Sequence, residues 1–389
     1  MKKWNIPAVA RMGEALVVLC LCAIAGWQVS RQAWTAHATA AGDFLRAAAI
    51  DPANADALVL AARVLPPADP STLDLLRRAT AVSPRHAGAW MELATQLELA
   101  GDLAAAENAL LEGAAADRRF GPAFSLAGFY FRQEDEAAFW FWALRAIAVR
   151  GADPSGAYRL AWQRGEHAAI WPRLAGRSAL WSGYVRFLTA EGHTGALADT
   201  APAAARLAAP AEAPDLLRAC ETLLRAGHAA PALAVWNALA GRGVIPHGAA
   251  GGGLVNGQFR QPVLQQGFDW RRHEAIARHD ARRGEIAVAF DGSQSGFTEV
   301  LQQTVFVRPG SWILRFRAEP QGGAVPQGWA WEAAGGACTI RFSGDEEECH
   351  LAFPPRPALV RLVLVCRPRG QAGGAAEFRL RDVSLTPSP

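Results

Sequence analysis

Lysine is almost missing from this chain. Of its 389 residues only Lys2 and Lys3 are lysine, and every other cationic side chain apart from histidine is arginine. Charged residues make up 19% and the net charge is +3, so there is no basic stripe interleaved with aromatics of the kind that grips nucleic acid. An Ala/Arg/Gly-rich vocabulary reflects the base composition of the coding sequence before it reflects function. Catalytic signatures are lacking as well. No HExxH, GxSxG, Walker or DxDxDG pattern occurs, and none of the nine histidines stands four residues from another. The six cysteines form no CxxC pair and no Cys/His set with zinc spacing. Acidic residues are present, but nothing singles out two at the separation a glycosidase requires. The expectation is a non-enzymatic protein with no catalytic residue, no metal and no cofactor. Its hydrophobic content of 51% excludes a disordered chain and allows more than one core.

The N-terminus carries an export pattern. Lys2, Lys3 and Arg11 precede an uncharged run over residues 15–29, and Arg31 follows it. A positive flank before an apolar run is a Sec-type signal or a signal anchor. The run is short against the ~20 apolar residues that cross a bilayer. Residues 8–29 are long enough if Arg11 and Glu14 lie near the headgroups, with Trp27 and Trp34 at the far interface. Ala23-Ile24-Ala25 also fits a cleavage site. Residues 1–33 are therefore read as a signal anchor or a signal peptide. The anchor places the chain in a bacterial inner membrane as a single pass, N-terminus inside and bulk periplasmic. Cleavage would leave a secreted or periplasmic protein. Cys20 and Cys22 lie in the run and serve as small apolar side chains.

Residues 84–117 read as one helix–turn–helix unit. Trp90, Leu93, Ala94 and Leu97 share a helical spacing, Gly101 and Asp102 break the helix, and Ala106, Leu110 and Gly113 mark a second. Thirty-four residues after the first set stand Phe124, Ala127, Gly128 and Phe131, of matching classes. Period and residue classes resemble a tetratricopeptide repeat, whose single hairpin cannot bury its apolar face alone and must stack on neighbours. A helix is expected over 31–49, then a degenerate repeat made of helices over 56–64 and 71–81, and a further unit over 118–151. In that last unit Trp140 and Ile147 replace the small Ala106 and Gly113, and the run Phe139-Trp140-Phe141-Trp142 either packs on the irregular helices next in the chain or offers a ligand platform. Further helices are expected over 156–164, 178–191, 195–207, 214–225 and 229–240, with buried Cys220 in the fourth. Residues 34–245 are thus read as an α-solenoid. The resemblance implies a protein-binding groove lined by Met91, Thr95 and Glu98 of one unit and Ser125, Phe129 and Arg132 of the next.

At residues 246–253 the composition turns to glycine and alanine, which reads as a hinge-like linker without phosphate-loop character. The apolar period then changes from 3.6 to 2. Strands are expected over 254–259, 285–290, 298–307, 311–318, 328–332, 338–342, 349–353, 358–367 and 377–385. Turns fall at Asp291-Gly292, Pro309-Gly310, Gly322-Gly323, Ser343-Gly344 and residues 370–374. The fold class is multidomain α plus β, ending in an antiparallel two-sheet sandwich over 254–389. Asn256-Gly257-x-Phe259, Gly267-Phe268-Asp269-Trp270, the central stretch 300–319 and the closing 378–385 resemble the galactose-binding-like jelly roll of carbohydrate-binding modules. In such domains the terminal strands meet. The resemblance implies a fold and only weakly a ligand. The order of anchor, degenerate repeats, VWNAL helix, LVNGQF and GFDW is similar to bacterial repeat proteins of exopolysaccharide loci.

Alternation makes Trp312 a core residue, with Arg315 and Arg317 on the opposite face, and puts Trp329 and Trp331 on one sheet face, where they either pack in the core or stack on sugar rings. Trp270 follows a loop, so Trp270, Arg271 and Arg315 are candidates to border a glycan or partner groove. If Ser343-Gly344 is a two-residue hairpin turn, Cys338 comes opposite Cys349, giving a cross-strand disulfide in an oxidising compartment or a buried thiol pair. Cys366 lies on an apolar face and is expected to be free. The acidic stretch 345–348 reads as a solvated turn. The functional expectation is a membrane-anchored periplasmic scaffold in exopolysaccharide or surface-glycan assembly or export. Its partners would be proteins of that system, polysaccharide and the membrane. A pure assembly factor and a glycan-processing enzyme are the rivals.

Overall fold

The computed structural model describes residues 6–290, 297–321, 327–367 and 376–388. Lys2, Lys3 and the expected turns at Asp291-Gly292, Gly322-Gly323 and residues 370–374 lie outside them. Among the described residues the order is thirteen α-helices followed by ten strands. The ninth helix, α9 (Ser155–Leu174), is broken at Gly165 and Glu166, where Glu166 has φ +52°. At that break the chain divides into two compact units, Met1–Arg164 and Gly165–Pro389.

The first unit opens on α1 (Ile6–Ala40), a single unbroken helix. Its stretch Leu16–Ala40 is long and apolar enough to cross a membrane, and none of its most apolar window is buried. A separate helix starting at Arg31 is therefore not found: the apolar run and the first packing helix are one element. Gly42, at φ +77°, ends it and lets the chain reverse. Then follow α2 (Phe44–Ile50), α3 (Ala55–Arg63), α4 (Pro70–Val82), α5 (Ala87–Leu99), α6 (Leu103–Ala116), α7 (Phe120–Arg132) and α8 (Glu136–Ile147). Small residues let these helices approach closely. Ala106, Leu110 and Gly113 are buried, and a methyl added at Gly113 would sit 3.3 Å from Trp90 Cβ. Caps are written into the sequence: Asp43, Asn54, Asp69, His86, Asp102 and Asp135 each accept a hydrogen bond from the first turn that they precede.

In the second unit come α10 (Trp181–Glu191), α11 (Thr194–Ala205), α12 (Ala213–Arg225) and α13 (Ala229–Gly241), followed by two five-stranded antiparallel sheets. Sheet A has the order β1 (Arg271–Arg272), β4 (Thr298–Val307), β9 (Ala358–Cys366), β6 (Trp329–Ala333) and β7 (Gly336–Thr339). Sheet B has the order β2 (Ala277–Asp280), β3 (Glu285–Phe290), β10 (Ala376–Pro387), β5 (Gly310–Pro320) and β8 (Glu346–Phe353). One apolar core lies between them, built on Trp270, Trp312, Phe316, Trp329, Trp331 and Phe378. Residues 254–259 form no strand. Asn256 and Phe259 take positive φ, and this loop reaches β10 through one bond, Val383 N–H to the Gly257 carbonyl at 2.9 Å. The bulge in β10 between Arg381 and Ser384 frees that amide.

Cys338 and Cys349 are joined as a disulfide with Cα atoms 6.1 Å apart. They do not face one another across a hairpin, however. Cys338 pairs with Trp331 in sheet A and Cys349 with Leu314 in sheet B, so the bond ties the two sheets together. Phe342 turns at φ +57°, and the buried Glu347 carboxylate accepts the amides of Arg341 and Ser343. That steers β8 away from β7, and Glu347 is not part of a solvated turn. Cys366 is free and buried, and burial pushes its thiol up to about 11.

Candidate functional site

The expected groove residues of the first unit meet in pairs across the 34-residue period. Arg132 donates from Nε and Nη2 to the two oxygens of Glu98, at 2.6 and 2.7 Å, and Ser125 Oγ lies 3.5 Å from Met91 Sδ. Thr95 is exposed, its hydroxyl bonded to the Met91 carbonyl. Phe129 departs from the expectation. It is only 2% exposed, because its ring packs edge-on to Tyr130 in the hairpin core. The remaining five residues make a stripe along the first helices of two successive hairpins. On α8, Phe139 and Trp140 are buried while Phe141 is exposed, with Arg145 over the rings of Phe141 and Trp142.

In the second unit the linker reading is overturned, since residues 246–253 are fastened rather than hinge-like. Trp236 Nε1 donates to the Gly248 carbonyl at 3.1 Å, and Asn237 exchanges two hydrogen bonds with Ala250. The Gly267-Phe268-Asp269-Trp270 run completes the joint, its first three residues packing on the Trp236 and His247 side and its last entering the sandwich core. Gly267 lies against the Trp236 ring, where an added methyl would come within 2.7 Å. Phe268 packs edge-on to the same indole. Asp269 is fully buried against His247, 3.3 Å away, and accepts the Leu264 amide. Trp270 enters the sandwich core.

Trp270, Arg271 and Arg315 do not border one groove. Trp270 has no exposed surface, and its Nε1 donates to the Asn256 carbonyl at 3.1 Å, which removes the polar reason for it to reach water. Arg271, on the edge of sheet A, is paired with Glu221 of α12, whose carboxylate also accepts the Gly267 amide at 3.0 Å. Arg315 stands on sheet B in an ion pair with Glu348. Each cation is tied to a carboxylate of its own.

A surface without a motif takes their place. The outer face of sheet A carries an open groove of about 440 Å³ lined by Phe297, Glu299, Glu332, Arg361, Val363 and Arg367, among others. Its floor is apolar, with Val363 and Val365 buried on the outward-facing side of β9. Phe297 is 51% exposed at the rim, with the Arg367 guanidinium 4.7 Å from its ring centroid. Arg367 also makes two hydrogen bonds to Glu332, at 2.8 and 3.0 Å, and Arg361 pairs with Glu299 and Gln302. These side chains come from three separate stretches of sequence, so no local pattern announces them. The one available signal was Val363 and Val365 standing between Arg361 and Arg367 at alternate positions, too apolar for a solvated face.

Elsewhere in this unit, His167 Nδ1 lies 3.0 Å from the Tyr184 hydroxyl. Burial lowers the His167 pKa from its ordinary value, opposed by the nearby Asp199 carboxylate. Tyr184 is buried, and burial pushes its hydroxyl well above the usual phenol range, which keeps it protonated. Among the described residues no cluster of three His, Cys, Asp or Glu side chains is placed to hold a metal ion. The chain is thus a series of helical hairpins followed by an antiparallel two-sheet sandwich. No protein-family model matches the chain, and no curated protein matches it.

Proposed function

We propose that this chain is a non-enzymatic scaffold, held at the outer face of the inner membrane by α1. It would work in exopolysaccharide or cell-surface glycan assembly or export. Tetratricopeptide-like hairpins would bind protein partners, and a galactose-binding-like sandwich would bind glycan. The groove on sheet A supports the sugar-binding part. A pyranose offers C–H faces and hydroxyl edges. Phe297 and the valine floor suit the former, and the Glu332–Arg367 and Glu299–Arg361 pairs suit the latter. Because each charge already holds its partner, little side-chain freedom remains to be lost on binding. Affinity electrophoresis of the full chain through soluble polysaccharides tests this reading. Retardation that disappears with Phe297→Ala and Arg367→Gln is expected. Equal migration of wild type and variants in every polysaccharide would refute it.

A protein-assembly role without sugar binding is the second reading. The exposed Phe141, beside Trp142 and Arg145 on α8, favours it, since aromatic and arginine side chains dominate protein interfaces.

A further inference from the structure

The two ends of the hairpin stack in the first unit differ in charge, and α1 leads into one of them. Arg31 Nε lies 3.5 Å from Asp51 Oδ1, and Ala38 shares an apolar cluster with Ala47, so α1 and α2 run antiparallel. The joint after α2 is therefore at the end where the apolar part of α1 arrives. Asp56 reaches His86 at 2.8 Å, which puts the joint after α4 beside it. Met91, Asp117, Arg119, Phe120 and Arg150 line one depression, so the joints after α6 and α8 continue the series.

At the opposite end the caps of α2, α4, α6 and α8 are all aspartate: Asp43, Asp69, Asp102 and Asp135. At the α1 end the caps of α3 and α5 are the uncharged or weakly basic Asn54 and His86, and α7 has no side-chain cap. Helix dipoles do not explain the contrast, because each end holds N- and C-termini alike. At the joints of the α1 end the acids are engaged: Asp51 with Arg31, Asp56 with His86, Asp117 with Arg119, and Asp153 with the Ser155 amide and hydroxyl; Glu112, a turn before the end of α6, is exposed. Arg85, Arg118 and Arg150 are exposed there, and none of the ion pairs among the described residues includes them. Val82 is exposed beside them.

The apolar part of α1 has the character of a lipid-embedded segment. Leu16, Val17, Val18 and Leu19 are all exposed and point around the whole circumference of the helix, leaving no polar side for water. We propose that the end of the hairpin stack at which α1 enters lies on the bilayer surface, with Arg85, Arg118 and Arg150 on anionic phospholipid headgroups. This rests on reading α1 as a retained span. Arginines at a bilayer surface attract anionic lipid, and apolar neighbours such as Val82 can enter the headgroup layer. With no break between span and first hairpin, the orientation is set by the helix itself.

The test uses the full chain with Cys20→Ala and Cys22→Ala, in vesicles of phosphatidylcholine and phosphatidylglycerol. A dye is attached at Ala148→Cys, on the α1 end, or at Ala104→Cys, on the other. Helices of 13 and 14 residues separate these ends by roughly 20 Å. Headgroup nitroxide lipid is expected to quench the dye at 148 severalfold more than the dye at 104. Replacing Arg85, Arg118 and Arg150 by glutamine should weaken the preference for anionic vesicles by about fivefold per arginine. Equal quenching at both sites in a carbonate-resistant protein overturns the proposal and leaves the span intact. Extraction of the protein by carbonate overturns the retained span as well.

Discussion

Trp236→Ala removes the side chain on which the last helical hairpin and the sandwich are fastened. The indole is fully buried, touches His247, Phe268 and Gly267, and donates to the Gly248 carbonyl. Truncating a buried aromatic costs about 3–5 kcal/mol, part from transfer of the ring and part from the cavity left behind. Here the cavity borders two cores, so both faces of the joint lose contacts. The amides of Ala250, Leu264 and Gly267 report this directly, since each donates to a side chain of the joint. Hydrogen exchange followed by mass spectrometry should show their protection falling by about a hundredfold or more, at 1.4 kcal/mol per tenfold. Amides of β4 and β9, deep in sheet A, should lose less unless the unit unfolds as a whole. Unchanged protection over 248–270, in a variant whose α13 is destabilised, would show that the sandwich stands independently of the hairpin and would refute the reasoning.

The disulfide closes a separation of 11 residues, which by the chain-entropy relation corresponds to about 3 kcal/mol. Cys338→Ser with Cys349→Ser should therefore lower the melting temperature by several degrees, and an unchanged melt would mean that the bond adds nothing. Phe129→Ala should destabilise the first unit by about 3–5 kcal/mol in urea unfolding, whereas Thr95→Ala should be nearly neutral; equal effects would argue against the burial assigned to Phe129. The His167 pKa is lowered in the folded protein, so the unfolded chain takes up the proton more readily. Stability from this group is present above the ordinary histidine value of about 6.5 and is lost as pH falls through the folded value. His167→Gln should flatten that acid-side slope in a pH series of urea midpoints, and an unaltered slope would assign it to other groups.

Local signals were enough for most elements. The strands β3 and β4 coincide with the period-2 runs at 285–290 and 298–307, because alternation against a single core leaves little freedom of register. The 34-residue offset appears as physical contacts between Glu98 and Arg132 and between Met91 and Ser125. Partner strands and exposure were not local. A two-residue turn at Ser343-Gly344 was a sound inference from composition, but the Glu347 carboxylate competes for the Arg341 and Ser343 amides and sends β8 to the other sheet. Trp270 beside a loop looked exposed, but a loop that folds under the sheets carries its indole inward. The sheet A groove was illegible because Phe297, Glu332, Arg361 and Arg367 meet only through strand order.

By itself the sequence determined where chain direction changes and which residues are apolar together. Caps, glycines and periodicity act over a few residues and do not depend on distant partners. It likewise determined an apolar run with no polar side, whereas its continuity with the first packing helix appeared only in the structure. Tertiary structure decided the rest: that Gly267, Phe268 and Trp270 serve two cores, that Cys338 and Cys349 join different sheets, and that arginines collect at the α1 end of the hairpins. Those outcomes depend on which elements pair across long separations, and pairing is settled by the summed burial of whole faces rather than by any short stretch.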